Sequence, residues 1–195
     1  MRLILYHGTD YEIAQTIMRD EFLVKKNDEH WLGNGIYFYI DDSLAKWWTS
    51  NPTKKHGSTI KKPAIIKAML IVPDNRVLDL RRKSDFDKLV EWELDYRTKC
   101  VEYASDEDIN GYKYRCALFD DILNRRGIDV IIGGFDSKNQ PYNDTRTISL
   151  LKKLRITYTE IQVCVKTDAQ KELLNVIEIN DASVKTMGDE NGKAI

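Results

Sequence analysis

Tyr6-His7-Gly8-Thr9 and Gly33-Asn34-Gly35-Ile36-Tyr37-Phe38 are the two stretches on which the reading of this chain turns. The first closes an apolar run, residues 3–6, that reads as a short buried strand. The glycine directly after His7 lets a ligand approach the main chain where a side chain would block it. The second is a Gly-Asn-Gly turn running into residues 36–40, whose aromatic and β-branched content predicts a strand. Side by side, such strands place an imidazole and a flat phenol ring at the edge of a cleft suited to a planar polar group. The same residues also describe a histidine and aromatics of an ordinary core, and the two readings stand level.

Outward from these stretches the pattern mixes strands and helices. Thr9 and Glu12 have the spacing of a capping box ahead of Ile13, Ala14, Ile17 and Met18, which predicts a helix to about residue 19. Residues 24–32 are polar and irregular. Asp42 or Ser43 can cap a short helix carrying Leu44, Ala45, Trp47 and Trp48. Residues 52–63 form a proline-bounded basic loop, read first as a solvated segment. Strands are expected over 64–72, 77–80 and 129–132, and helices over 84–99 and 112–126, the last stopped by Gly127. Residues 157–165 alternate, with Ile161, Val163 and Val165 on one face and Glu160, Gln162 and Cys164 on the other. A second capping box spans Thr167 to Gln170. Without strict strand–helix alternation the fold class expected is α+β, with residues 1–180 as one domain and 181–195 as a frayed tail.

Composition narrows the function classes. The 195 residues carry 30 basic and 31 acidic side chains, a formal net charge of -1, which argues against a binder relying on phosphate neutralisation. Three cysteines without CxxC spacing disfavour a disulfide framework or zinc site, and no apolar run is long enough for a signal peptide or membrane span. A cytoplasmic protein without membrane association is expected. His7, His30 and His56 lack metal-ligand spacing, so no metal is expected. Gly133-Gly134 follows a strand but lacks GxGxxG.

The strand–His-Gly-Thr opening followed by a turn and Gly-Ile-Tyr-Phe resembles the ADP-ribosyltransferases of the diphtheria-toxin and poly(ADP-ribose) polymerase branch, defined by a His-Tyr-Glu site. It is also similar to a bacterial family of unassigned activity that opens Leu-Tyr-His-Gly and carries an Ala-Lys-x-Trp helix, matched by Ala45-Lys46-Trp47-Trp48. The likeness lies mostly in the first fifty residues. It implies a split mixed β-sandwich with peripheral helices around an NAD cleft. By the same resemblance, His7 would bond the adenosine-side ribose, Gly8 would hold the nicotinamide amide, and Tyr37 and Trp48 would clamp the nicotinamide. Thr9, Gly35 and Ser43 would border the donor. Glu160, on a late strand, would be the catalytic carboxylate that stabilises an oxocarbenium-like state.

The chain departs from the pattern at Ala45, where the polymerases use serine for the amide, although Ser43 lies close. An alternative register puts Gln162 at the catalytic place and removes the carboxylate. With Glu160 catalytic, Tyr158 occupies the arginine-orienting position, which disfavours arginine modification. Asp136 and Asp144 either border the cleft or serve turns.

The activity implied is mono-ADP-ribosyl transfer from NAD to a protein or nucleic acid, RNA included, in the manner of toxins or phage-defence effectors, with an antitoxin as a partner. Residues 52–63 and Arg81-Arg82-Lys83 give a small reason to favour nucleic acid. The alternative is an inactive NAD- or ADP-ribose-binding module. An RNA 2′-phosphotransferase shares the opening but needs later histidines, and none follows His56.

Overall fold

Nine consecutive residues pair without interruption at the centre of the molecule. β1 (Arg2–Asp10) runs antiparallel to β3 (Pro63–Ile71), from Arg2 opposite Ile71 to Asp10 opposite Pro63. The structure, a computed structural model, describes residues 1–50, 60–99, 111–136, 145–154 and 159–182. The remaining described elements, in chain order, are α1 (Tyr11–Arg19), β2 (Ile36–Tyr39), α2 (Asp42–Ser50), β4 (Val77–Asp79), α3 (Lys83–Lys99), α4 (Tyr112–Arg125), β5 (Val130–Asp136), α5 (Thr145–Leu154), β6 (Thr159–Val165), α6 (Gln170–Leu173) and β7 (Leu174–Asp181). They build an α+β fold on one seven-stranded sheet in the order β4-β5-β6-β2-β1-β3-β7, in which only β4 and β5 run parallel.

The sheet is nearly divided in its middle. β1 and β2 share one pair, Tyr6 with Tyr39, whereas β2 matches β6 over its whole length and β3 matches β7. Beyond Tyr6 the two strands part, so a three-stranded half and a four-stranded half meet at a seam.

Side-chain alternation gives each half two packed faces. On one face Leu5, Phe38, Ile66, Val130, Ile132, Val163 and Val165 build a core with Ala14 and Ile17 of α1. On the other, Leu78, Ile131 and Cys164 meet Leu118, Phe119, Ile122 and Leu123 of α4. α2 lies over β1 and β3, close enough that a Cβ on Gly8 would stand 2.6 Å from the Ala45 carbonyl oxygen and 2.7 Å from Thr49 Cγ2. α3 turns Leu89, Trp92 and Tyr96 to the second core and leaves Phe86, Val90 and Leu94 exposed.

Several local expectations are revised. The N-cap of α1 is Asp10, whose carboxylate accepts the Glu12 N–H at 3.1 Å, because β1 continues through Thr9. The cap of α2 is Asp41, which takes the Ser43 N–H at 2.9 Å and hydroxyl at 2.7 Å. At the second expected capping box, a 3-10 turn over Thr167–Ala169 precedes α6 and no side chain caps either element. β5 does not stop before Gly133-Gly134 but runs through both, paired with Gln162 and Ile161 of β6, and a Cβ on either glycine would press on neighbouring side chains. β7 and α5 were not expected. Gly127 ends α4 in the left-handed region at φ 68°, as its glycine predicts. His56, Cys100, Asp144, Tyr158, most of the basic loop and the tail beyond residue 182 lie outside the described residues.

Candidate functional site

His7 stands at the seam where the ladder fails. Continued past Tyr6–Tyr39, the pairing would set His7 opposite Phe38 and Gly8 opposite Tyr37. Instead the His7 Nδ1 lies 2.7 Å from the Tyr37 carbonyl oxygen, so the imidazole takes a main-chain acceptor that the parted strand leaves. The ring packs edge-on against Phe22 and Phe38, at centroid distances of 5.3 and 5.8 Å. Burial pushes its pKa below the ordinary 6.5, more than the bond to Tyr37 raises it. A neutral ring donating from Nδ1 has Nε2 as its acceptor. Because β1 alternates, the His7 side chain leans to the α1 face.

Tyr37 and Glu160 belong to the opposite face. Tyr37 pairs with Cys164, Tyr39 with Gln162, Gly133 with Gln162, and Phe135 with Glu160. Directly paired residues point the same way, so Tyr6, Tyr37, Tyr39, Gln162, Glu160 and Phe135 share one surface. Between the flank under α2 and the flank under α4, this surface is a strip of half-buried polar and aromatic side chains. Gln162 donates Nε2–H to Oε1 of Glu160 at 2.5 Å. Tyr39 stands against the same carboxylate; burial, and then that negative charge, raise its hydroxyl above the phenol range. The two readings of the late strand, Glu160 or Gln162 at the key place, thus describe bonded neighbours.

The Tyr37 hydroxyl is committed to the preceding loop. It donates to the Gly33 carbonyl at 2.8 Å and accepts the Leu32 N–H at 2.7 Å, and burial raises it strongly. Asp120 of α4 anchors that loop as well, taking the Asn34 N–H at 2.5 Å and its side-chain amide at 2.7 Å. Asn34 in turn accepts the Asn27 N–H at 2.8 Å. Sequence reasoning passed over Asn27, Asn34 and Asp120; Asn34 inside Gly-Asn-Gly was the available signal.

Of the expected donor-binding residues, Thr9 and Trp48 share one groove of about 240 Å³ with Asp10, Glu12, Ile13, Ile60 and Lys61, and His7, Tyr37 and Glu160 do not line it. Ser43 is exposed and bonded to Asp41. Ala45 is wholly buried, and its carbonyl faces Gly8. Both Gly8 and Gly35 are required by packing: a Cβ on Gly35 would stand 2.5 Å from Cys164 Sγ and 2.6 Å from the Val165 carbonyl. Arg81 and Arg82 share Asp79, and Lys83 is paired with Asp87, so each cation of that cluster has a carboxylate beside it. Cys116 and Cys164 are free and buried. Among the described residues, no His, Cys, Asp and Glu group of three or more could hold a metal, and no helix is long and apolar enough to cross a membrane.

An α+β protein on one mixed sheet, with a polar strip beside a central seam, is the class that fold and site define. No family model matches the chain. It is 32% identical over 178 residues, covering 85% of this chain and 83% of the relative, to the uncharacterized protein MJ0359 of Methanocaldococcus jannaschii. The chain belongs to the family of that archaeal protein.

Proposed function

We propose that the protein is an NAD-dependent mono-ADP-ribosyltransferase of the ADP-ribosyltransferase fold, acting on a cellular macromolecule in the manner of toxins or phage-defence effectors. The observation that carries this reading is the Glu160 carboxylate, held by Gln162 and flanked by Tyr39 on the open strip beside the seam. In the reaction, the bond from the ribose C1′ to the nicotinamide nitrogen breaks and nicotinamide leaves with the electron pair. A nucleophile of the acceptor then bonds C1′ and gives up its proton. A carboxylate fixed near C1′ stabilises the positive charge that develops there more than it stabilises the bound substrate. The neutral His7, with Nε2 as acceptor, suits a ribose hydroxyl as donor. Because its side chain leans to the α1 face, NAD must on this reading cross the seam between it and Glu160.

The experiment is nicotinamide release from NAD by the purified protein, wild type beside Glu160→Ala, with and without cellular RNA and protein. Release that vanishes in the variant supports the reading. Release that persists unchanged moves the carboxylate elsewhere.

A second reading, an inactive NAD- or ADP-ribose-binding module, draws on Ala45 and Gly8. α2 fills the space over Gly8, where the resemblance would seat the nicotinamide amide, and Ala45 offers no hydroxyl there. This reading expects NAD to bind by calorimetry without nicotinamide release.

A further inference from the structure

Arg115 in the first turns of α4 carries a guanidinium whose Nε and Nη2 are buried and have no hydrogen-bond acceptor among the described residues. Buried charged donors left unpaired are costly, so this is a place where the protein alone leaves a binding capacity unused. The guanidinium lies over two aromatic rings, 5.1 Å from the centroid of Trp31 and 5.1 Å from that of Tyr112. Both rings are open to solvent, Trp31 at 41% and Tyr112 at 61%. Trp31 packs edge-on against Phe135 at 4.5 Å, and Phe135 is the direct cross-strand partner of Glu160. A continuous path of contacts therefore leads from the candidate catalytic carboxylate through Phe135 and Trp31 to the unsatisfied arginine.

We infer that Trp31, Arg115 and Tyr112 form the acceptor subsite, and that the acceptor is a single-stranded nucleic acid. The inference rests on the transferase reading for its role, but not for the binding itself. A phosphate matches the planar fork of a guanidinium, and bases stack on exposed aromatic faces. A carboxylate alone would satisfy Arg115 and leave both rings uncovered. The near-neutral chain and the pairing of Arg81 and Arg82 with Asp79 provide no broad basic field, so the site grips one phosphate and its flanking bases. A nucleotide seated there places its neighbour along the strand towards Phe135 and Glu160.

The test is fluorescence anisotropy of labelled single-stranded DNA and RNA oligonucleotides, without NAD, at several salt concentrations. The proteins are wild type, Trp31→Ala, Trp31→Phe and Arg115→Gln, each first checked by circular dichroism and thermal melting. Trp31→Ala is expected to weaken binding about tenfold with an unchanged salt slope, and Trp31→Phe to restore most of it. Arg115→Gln is expected to lower the slope of log K against log salt by about one contact's worth, near 0.7. Folded variants that bind as the wild type does would overturn the subsite, as would a mononucleotide binding as tightly as the oligonucleotide, or an acidic peptide displacing it. Oligonucleotide binding at these residues without nicotinamide release would sink the transferase reading and leave the subsite standing. NAD turnover onto protein alone would do the reverse.

Discussion

The side-chain amide of Gln162 is bonded to Oε1 of Glu160, two residues back on the same face of β6, at 2.5 Å. The bond fixes one carboxylate oxygen, and Tyr39 stands against the same carboxylate. On the transferase reading, Gln162→Leu removes the donor at nearly constant size and leaves the carboxylate to Tyr39 alone, so kcat for nicotinamide release is expected to fall about ten- to a hundredfold with KM for NAD little changed. Gln162→Glu sets a like charge beside Glu160 in place of its donor and should lower kcat further than Gln162→Leu does. A kcat unchanged in both variants would show that Glu160 does not act through the oxygen that Gln162 holds.

His7 makes stability depend on pH in a defined direction. Its folded pKa lies below 6.5 because burial opposes the charged ring. Below pH 6.5 the unfolded chain takes up a proton that the folded chain refuses, so unfolding is favoured as pH falls towards the folded value. The contribution of the neutral ring is complete above about pH 6.5 and is lost below it. His7→Asn can keep a donor to the Tyr37 carbonyl but cannot titrate. Its melting temperature should fall less than that of the wild type between pH 7 and 5. Equal falls in both proteins would remove His7 as the source.

Tyr37 serves the loop over residues 27–35 through its hydroxyl, whatever its ring does for a ligand. Tyr37→Phe leaves the Leu32 N–H and the Gly33 carbonyl without that partner, and is expected to cost about 1–3 kcal/mol in urea unfolding. Asp120→Ala removes the anchor of Asn34 from α4 and should cost a similar amount. Hydrogen exchange would localise both effects, with protection lost over residues 27–35 and kept in β3 and β7. Uniform loss through the sheet would instead mean that the loop and the core open together.

Much of this arrangement is legible in the sequence, for physical reasons that differ by element. Residues 36–39 and 159–165 alternate or carry β-branched and aromatic residues, so their faces follow from periodicity alone. The alternation that puts Glu160 and Gln162 on one face is what places them within bonding distance. β7 was missed because Leu174, Val176 and Ile179 are only partly buried at a sheet edge, and charged neighbours blur their pattern. α5 has Asn143, Asp144 and Thr145 as candidate caps, but no Glu or Gln stands at capping-box spacing behind any of them. The seam is a tertiary fact: nothing local to Tyr6 or Tyr39 announces that the ladder stops there. Gly8 reads from the sequence as room for a ligand and Gly35 as part of a turn, whereas both are needed because α2 and β6 come within van der Waals contact.

Gly8 separates these two roles by experiment. A methyl group there meets the Ala45 carbonyl oxygen at 2.6 Å and Thr49 Cγ2 at 2.7 Å, and the first is main chain of a helix, which can move only as a unit. Gly8→Ala is expected to lose about 1–3 kcal/mol in urea unfolding. Thr49→Ser in the same chain deletes the clashing methyl but not the carbonyl, so it should recover part of that loss and no more. If Gly8 instead matters chiefly because a ligand needs its main chain, Gly8→Ala will unfold like the wild type and lose NAD binding alone. Calorimetric titration of NAD into the single and double variants, beside their unfolding curves, separates packing from ligand approach at this one position.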